Sequence, residues 1–108
     1  MKPKCLGSIS IGGYSYRVFV VPGDLRAPDN DPVRGYCDNG RQEIYLSGDL
    51  PEDELAETFC HEVFHAVAFS YRLPFTHEQE ESLAGPIGLG FAQALKPWLK
   101  GRLRKSWK

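Results

Sequence analysis

The first third of the chain has the short apolar runs and turn signals of β-structure. Residues 8–11 and Tyr14–Val21 are rich in side chains that favour strands, and Gly12-Gly13 between them is typical of a tight hairpin. Residues 22–34 hold three prolines, one glycine and four Asp or Asn residues, which predicts a surface loop.

A second hairpin is predicted immediately after this loop. Residues 34–37 and 41–46 form its two strands, with the turn over residues 38–40. In the later strand Ile44 and Leu46 alternate with polar neighbours, which predicts one buried face.

The second half of the chain changes to helical periodicity. Pro51 suits the first position of a helix, and the acids at 52–54 complement the helix dipole, so a first helix is predicted to about Tyr71. Thr76 and Gln79 have the spacing of a capping box and open a second helix that runs to about Leu95. A kink or interruption is expected in this second helix at residues 85–86, which are Gly-Pro. The predicted fold class is therefore α+β: a small antiparallel meander of three to four strands followed by two long helices.

The first helix carries the sequence HEVFH, an HExxH motif, at residues 61–65. Because positions i and i+4 of a helix lie one above the other, His61 and His65 can reach the same metal ion. On a helical wheel both histidines lie away from the main apolar arc, and Glu62 lies between them and the core side. This placement suits a carboxylate that contacts a metal-activated water rather than the metal, so the motif predicts a zinc site.

A catalytic zinc ion takes three protein ligands and keeps a position open for water. The first turns of the second helix offer His77, Glu78, Glu80 and Glu81 as the third ligand. On the wheel Glu80 and Glu81 lie on or beside the apolar face, which is predicted from Leu83, Ala84, Ile87, Phe91, Ala94 and Leu95, and antiparallel packing would bring them level with the histidines. Glu81 is the preferred third ligand, Glu80 stays open, Glu78 points away, and His77 is an alternative ligand or substrate-binding residue.

Composition is that of an ordinary single domain. The 108 residues are 42% hydrophobic and 25% charged, with a formal net charge of −1, and no apolar run approaches the ~20 residues of a membrane span. The N-terminal residues do not form a secretory signal. Cys5, Cys37 and Cys60 have no CxxC spacing, which argues against a disulfide framework and predicts a reducing, cytoplasmic setting. Cys60 is predicted in the core, and Cys37 in a turn without a role.

Charge is unevenly distributed, because residues 96–108 carry six cations and no acids together with Trp98 and Trp107. This composition suits phosphate contacts with base stacking, so nucleic acid is one candidate partner of the tail. A solvated helix end with Trp98 in the core and a partner-binding segment are the alternatives. We therefore divide the chain into a domain over residues 1–95 and a basic tail over residues 96–108.

Residues 54–95 resemble the small zinc-metallopeptidase-like proteins of bacteriophages and prophages, which are related to the ImmA/IrrE-like and minimal gluzincin group. The shared pattern is FCHEVFHA at residues 59–66, the Glu80-Glu81 pair, and GFAQAL at residues 90–95, preceded by the strand RQEIYL at residues 41–46. The resemblance covers roughly residues 9–95 and implies a zincin-like fold, a bacterial host cytoplasm, and Glu81 as the third zinc ligand.

The predicted activity is zinc-dependent hydrolysis of peptide bonds. The metal would polarise the scissile carbonyl and acidify a water, and Glu62 would act as general base and then general acid. If strand 41–46 lies at the sheet edge, a peptide substrate could pair with it. Tyr45, Tyr71 and His77 are candidate oxyanion stabilisers. The alternative function is a zinc-stabilised, non-catalytic module that binds protein or nucleic acid.

Overall fold

The structure, a computed structural model, describes residues 3–99. Its elements in chain order are β1 (Lys4–Ile11), β2 (Tyr14–Val21), β3 (Gly35–Asp38), β4 (Glu43–Ser47), α1 (Glu52–Ser70) and α2 (His77–Leu99). This is the α+β class predicted from the sequence, with strands first and two long helices after them. No helix within the described range is long and apolar enough to cross a membrane.

The four strands form one sheet in the order β1-β2-β4-β3. β1 and β2 form the predicted hairpin, whose turn residues Gly12 and Gly13 have φ of 58° and 85°, values that side chains with a Cβ rarely adopt. β3 and β4 also pair antiparallel, but β2 and β4 run parallel. The prediction of a wholly antiparallel meander was therefore wrong at this one pairing, because the chain crosses back through residues 22–34 and places β4 beside β2.

The core lies between one face of the sheet and α1. Alternate residues of the two central strands point toward the helix and are fully or almost fully buried: Tyr16, Val18, Val20, Ile44 and Leu46. Leu55 and Ala66 of α1 close this cluster at 0% exposure. The core face matches the alternation predicted for the strands and the apolar arc predicted for the first helix. The opposite face of β4 is not exposed as that alternation predicted, because Glu43 and Ser47 are buried too.

α1 and α2 pack against each other in antiparallel directions. The early residue Asp53 of α1 pairs with Lys96 of α2 at 3.1 Å, whereas His65, near the other end of α1, meets Glu80. The closest approach is at Gly88, where an added Cβ would lie 2.9 Å from the His61 Cα. The second helix thus approaches α1 through small residues, which lets its first turns reach the histidines.

The buried face of α2 agrees with the predicted one at Ala84 but differs from it at the bulky residues Phe91 and Leu95. It consists of Ala84, Gly88 and Ala92, whereas Phe91 is 56% exposed and Leu95 is 41% exposed. The prediction from the helical wheel placed the bulky apolar residues at the centre of the buried face. The two helices instead pack closely through the neighbouring row of small residues. The proposal that Trp98 enters the core was also wrong, because its exposure is 69%.

The start of α2 follows the sequence prediction. The Thr76 hydroxyl accepts from the Gln79 amide at 3.1 Å, and the Gln79 side chain accepts from the Thr76 amide at 2.9 Å, which completes the capping box. The helix is not interrupted at Pro86, which lies inside the continuous span His77–Leu99.

The second helix also continues past the predicted end at Leu95 and reaches Leu99. Residues 100–108, which contain most of the predicted basic tail and Trp107, lie outside the described residues.

Candidate metal centre

His61 and His65 lie one helical turn apart on α1 and point to the same cleft. Their Nε2 atoms are 3.3 Å apart. Two nitrogen ligands about 2.0–2.1 Å from a tetrahedral zinc ion would be about 3.3–3.4 Å apart, so the spacing fits a shared ion. The HExxH spacing on a regular helix is enough to produce this pair.

Glu81 reaches the same point from the first turns of α2. Its Oε1 lies 3.3 Å from the Nε2 of His65, and the candidate ligand atoms of His61, His65 and Glu81 all lie within 4.8 Å of one another. A set of two imidazoles and one carboxylate suits zinc in chemistry as well as in spacing. The structure therefore contains a possible metal site built from both helices.

Glu80, the neighbour of Glu81, has a different position. Its Oε2 lies 2.5 Å from the Nδ1 of His65, on the side of the ring opposite the shared cleft point. A proton on Nδ1 would be donated to this carboxylate, which leaves Nε2 with its lone pair directed toward Glu81 and His61. Of the two acids that the sequence left as alternatives, Glu80 contacts Nδ1 of His65 and Glu81 belongs to the group of atoms that could hold a metal ion.

Glu62 is a buried carboxyl group beside the two histidines. Its exposure is only 7%, and it lines the same cleft as His61, His65 and Glu81. Burial raises the pKa of Glu62 to about 7, with His65 acting in the opposite direction and Glu81 adding to the increase. A carboxyl group with this pKa can accept and return a proton near neutral pH.

His61 is held in its neutral form by its surroundings. Burial is the main cause that lowers the pKa of His61, and the neighbouring His65 lowers it further. A neutral imidazole has a free nitrogen lone pair, which metal binding requires. The electrostatics of the cleft thus favour the protonation state of a ligand.

The cleft has a volume of about 410 Å³ and an opposite wall that the sequence did not predict. This wall is formed by β3 and the turn after it, with Tyr36, Cys37 and Asn39 facing the helices. Cys37 lies in β3 rather than in a turn, and its thiol donates to Asn39 Oδ1 at 3.3 Å. Burial raises the pKa of Cys37 to about 12, and the charge of Glu62 contributes. The sequence could not predict this wall, because β3 reaches the cleft only through its position at the edge of the sheet, and that position depends on the order of the strands.

The remaining candidates separate clearly. His77 lines the cleft but is not among the three grouped ligand atoms, and Glu78 is exposed and lies outside the cleft lining. Tyr45 and Tyr71 also lie outside that lining: the Tyr45 hydroxyl donates to Glu43 at 2.7 Å, and Tyr71 is 62% exposed. Only His77 therefore remains near enough to contact a bound substrate. Cys60 is buried, as predicted.

Comparisons with family models, curated proteins and solved structures find no match to this chain. The class that the fold and cleft define is an α+β protein with a possible metal site on two antiparallel helices. The resemblance to phage metallopeptidase-like proteins, and the protease activity that it implies, stay predictions.

Proposed function

We propose that this protein is a zinc metallopeptidase whose ligands are His61, His65 and Glu81. The observation that carries the proposal is that the carboxyl group of Glu62, which is not one of the three candidate ligands, lines the same cleft as they do. A purely structural zinc site is closed by four protein ligands and needs no such group.

A zinc ion held by three protein ligands would keep one coordination position for water or substrate. Such an ion would supply Lewis acidity, which polarises a carbonyl group and makes a water molecule more acidic. His61 and His65 would be fixed by the α1 backbone, and His65 is further oriented by Glu80. The ligand set therefore needs little rearrangement to hold an ion.

Glu62 would move the proton. No donor among residues 3–99 forms a hydrogen bond with its carboxyl group, although the group is almost fully buried. A buried carboxylate without a hydrogen-bond donor is costly, so its position supports a function in the cleft. Glu62 would take the proton of the attacking water and transfer it to the amine that leaves when the peptide bond breaks.

The substrate would lie along β3 rather than along the strand predicted for this role. The residues 41–46 strand corresponds to β4, which lies between β2 and β3 and is not an edge. β3 is one of the two edge strands and forms the wall opposite the histidines. An extended peptide that pairs with its free side would pass the metal position with its backbone held by hydrogen bonds.

The test compares three zinc-loaded proteins: the unsubstituted protein, Glu62→Gln, and Glu78→Gln as a matched control on the exposed side of α2. Each is incubated with a mixture of denatured proteins, and new termini are identified by mass spectrometry. We expect cleavage by the first and third proteins, and loss of at least a hundredfold in Glu62→Gln, since general base catalysis contributes roughly 10²–10⁴-fold.

Zinc content is measured in the same samples. If Glu62→Gln keeps its zinc and loses cleavage, the proton-transfer role is supported. If the zinc-loaded unsubstituted protein cuts no substrate, the peptidase proposal fails and the alternative of a zinc-stabilised interaction module takes its place.

A further inference from the structure

Three aromatic rings are stacked across the face of the sheet that does not pack against α1. The ring centroids of Phe19 in β2 and Tyr45 in β4 are 5.1 Å apart, and those of Tyr45 and Tyr36 in β3 are 4.9 Å apart. The interplanar angles are 15° and 19°, so neighbouring rings lie nearly parallel. We call these three residues the aromatic row.

The aromatic row follows the pairing of the strands. Phe19 is the partner of Tyr45 in the parallel pair of β2 and β4, and Tyr36 is the partner of Tyr45 in the antiparallel pair of β3 and β4. Directly paired side chains lie on the same face of a sheet and close together, and neighbouring strands are about 4.7–4.9 Å apart. A further strand beside β3 would therefore place one of its side chains at the next step of the row.

The two ends of the aromatic row differ. At the β2 end the guanidinium carbon of Arg17 lies over the ring of Phe19, 5.4 Å from its centroid. At the β3 end Tyr36 is half-buried and stacks against one ring only among residues 3–99. Tyr36 is at the edge of the sheet, where this outer face meets the cleft, and it lines the cleft. The row thus ends at the candidate metal centre.

The backbone of β3 can bind a further strand at this edge. Residues of an antiparallel pair alternate between those that bond to the neighbouring strand and those whose N–H and C=O point away from it. The Ser47 amide donates to the Arg34 carbonyl at 2.8 Å, which places Tyr36, two residues after Arg34, in the bonded set. The N–H and C=O groups of Gly35 and Cys37 therefore point to the free edge, on either side of Tyr36. A peptide bonded to both would have one residue directly opposite Tyr36.

We propose that Tyr36 selects peptides with an aromatic residue at the position opposite it, because that side chain would become the fourth ring of the aromatic row. The inference rests on the proposed peptidase function and adds the class of substrate. Side chains alternate along an extended peptide, so the residues before and after the aromatic one would point to the face of the sheet that carries α1 and its histidines. The aromatic residue would therefore be a fixed number of residues from the bond that is cut.

The first measurement compares cleavage of denatured proteins by zinc-loaded samples of the unsubstituted protein, Tyr36→Leu, Tyr36→Phe and Phe19→Leu. The residues around each cut bond are read from the new termini. We expect tryptophan, tyrosine and phenylalanine to be enriched roughly 2–10-fold at one position, which is the gain that one stacked aromatic pair supplies. Tyr36→Leu should lose the enrichment, and Tyr36→Phe, which keeps the ring, should retain it. Phe19→Leu is the matched control, because it removes the ring at the end of the row away from the cleft.

Binding is measured separately, so that the role of Tyr36 can be judged without turnover. The probes are a fluorescent peptide of threonine and valine with one central tryptophan, and the same peptide with leucine in that place. All proteins in this measurement also carry Glu62→Gln, so that neither probe is cut. Fluorescence anisotropy should show roughly 2–10-fold tighter binding of the tryptophan probe when Tyr36 is present. The two probes should bind equally to the protein with Tyr36→Leu.

A preference for aromatic residues that is lost in Tyr36→Leu and kept in Phe19→Leu supports the proposal. Cleavage without such a preference overturns it and leaves the peptidase function standing. Preferred binding of the tryptophan probe without any cleavage has the opposite meaning: the role of Tyr36 stands and the peptidase function fails. Equal affinity for the two probes, or binding of neither, overturns the proposal, as does loss of the preference in Phe19→Leu. If Tyr36→Leu unfolds by circular dichroism, Tyr36→Met takes its place.

Discussion

Glu80 Oε2 lies 2.5 Å from Nδ1 of His65, and this contact connects the first turn of α2 to one imidazole of the candidate metal site on α1. It fixes the orientation of the ring, because the second nitrogen of the same ring then points to His61 and Glu81 at 3.3 Å each. Carboxylates that hold a ligating histidine in this way influence metal affinity without touching the metal.

Replacing Glu80 should therefore weaken metal binding without abolishing it. We expect Glu80→Ala to lower zinc affinity by about 10–100-fold, the usual effect of losing such a partner. Glu78→Ala, also an acid in the first turn of α2 but outside the cleft, should leave affinity unchanged. Competition with a zinc chelator measures both, and equal affinities in the two variants would show that Glu80 does not act through His65.

Removing the metal should lower the free energy of unfolding, because the ion would no longer connect the two helices. Because His61 and His65 belong to α1 and Glu81 belongs to α2, an ion bound by all three stabilises the folded protein. Free zinc at 100 times the dissociation constant should add about 2.7 kcal/mol to the free energy of unfolding, and EDTA should remove this gain.

The control for that experiment is Glu81→Ala. It should lose most of the zinc-dependent increase in Tm, measured by calorimetry, while its Tm in EDTA stays close to that of the unsubstituted protein, since Glu81 is exposed. A full zinc response in Glu81→Ala would exclude this residue as the third ligand.

Adding one methyl group at Gly88 should disturb the helix pair. The new Cβ of Gly88→Ala would lie 2.9 Å from both the N and the Cα of His61, and backbone atoms cannot move aside as a side chain can. We expect a loss of about 1–3 kcal/mol in the free energy of unfolding, as for other overpacked sites, together with weaker zinc binding.

Gly90 provides the matched comparison, because nothing lies within 4 Å of a Cβ added there. Gly90→Ala should stabilise the helix by up to about 1 kcal/mol. Urea unfolding of the two variants compares them directly, and similar stabilities would contradict the close approach at Gly88.

The thiol of Cys37 should react slowly and with a steep pH dependence. Its pKa of about 12 leaves roughly one thiol in ten thousand ionised at pH 8, and the thiolate is the reactive form. Since the ionised fraction rises tenfold per pH unit below the pKa, alkylation by iodoacetamide should be about tenfold faster at pH 9 than at pH 8.

Cys5 is the internal reference because it is exposed. Peptide mapping after short alkylation should find Cys5 modified well before Cys37. Rapid labelling of Cys37 at pH 8 would contradict its burial in the cleft wall and the effect of the neighbouring Glu62 charge.

The features that depend on neighbours in the chain could be predicted without the structure. The turn at Gly12-Gly13, the capping box of Thr76 and Gln79, and the pairing of His61 with His65 all follow from local geometry. The approximate bounds of the strands and helices have the same origin, because the period of the apolar residues differs between the two kinds of element.

Contacts between distant segments decided the rest. The parallel pairing of β2 with β4 leaves β3 at one edge of the sheet, and no local pattern shows which strands become neighbours. The close approach at Gly88 sets the position of α2 along the axis of α1. That position places Glu80 at one nitrogen of His65 and Glu81 at the other. The same approach leaves Phe91 outside the interface, because small residues allow helix backbones to come closer than bulky ones. The motif thus determines which two histidines lie side by side, whereas helix packing determines which acid completes the group that could hold a metal ion.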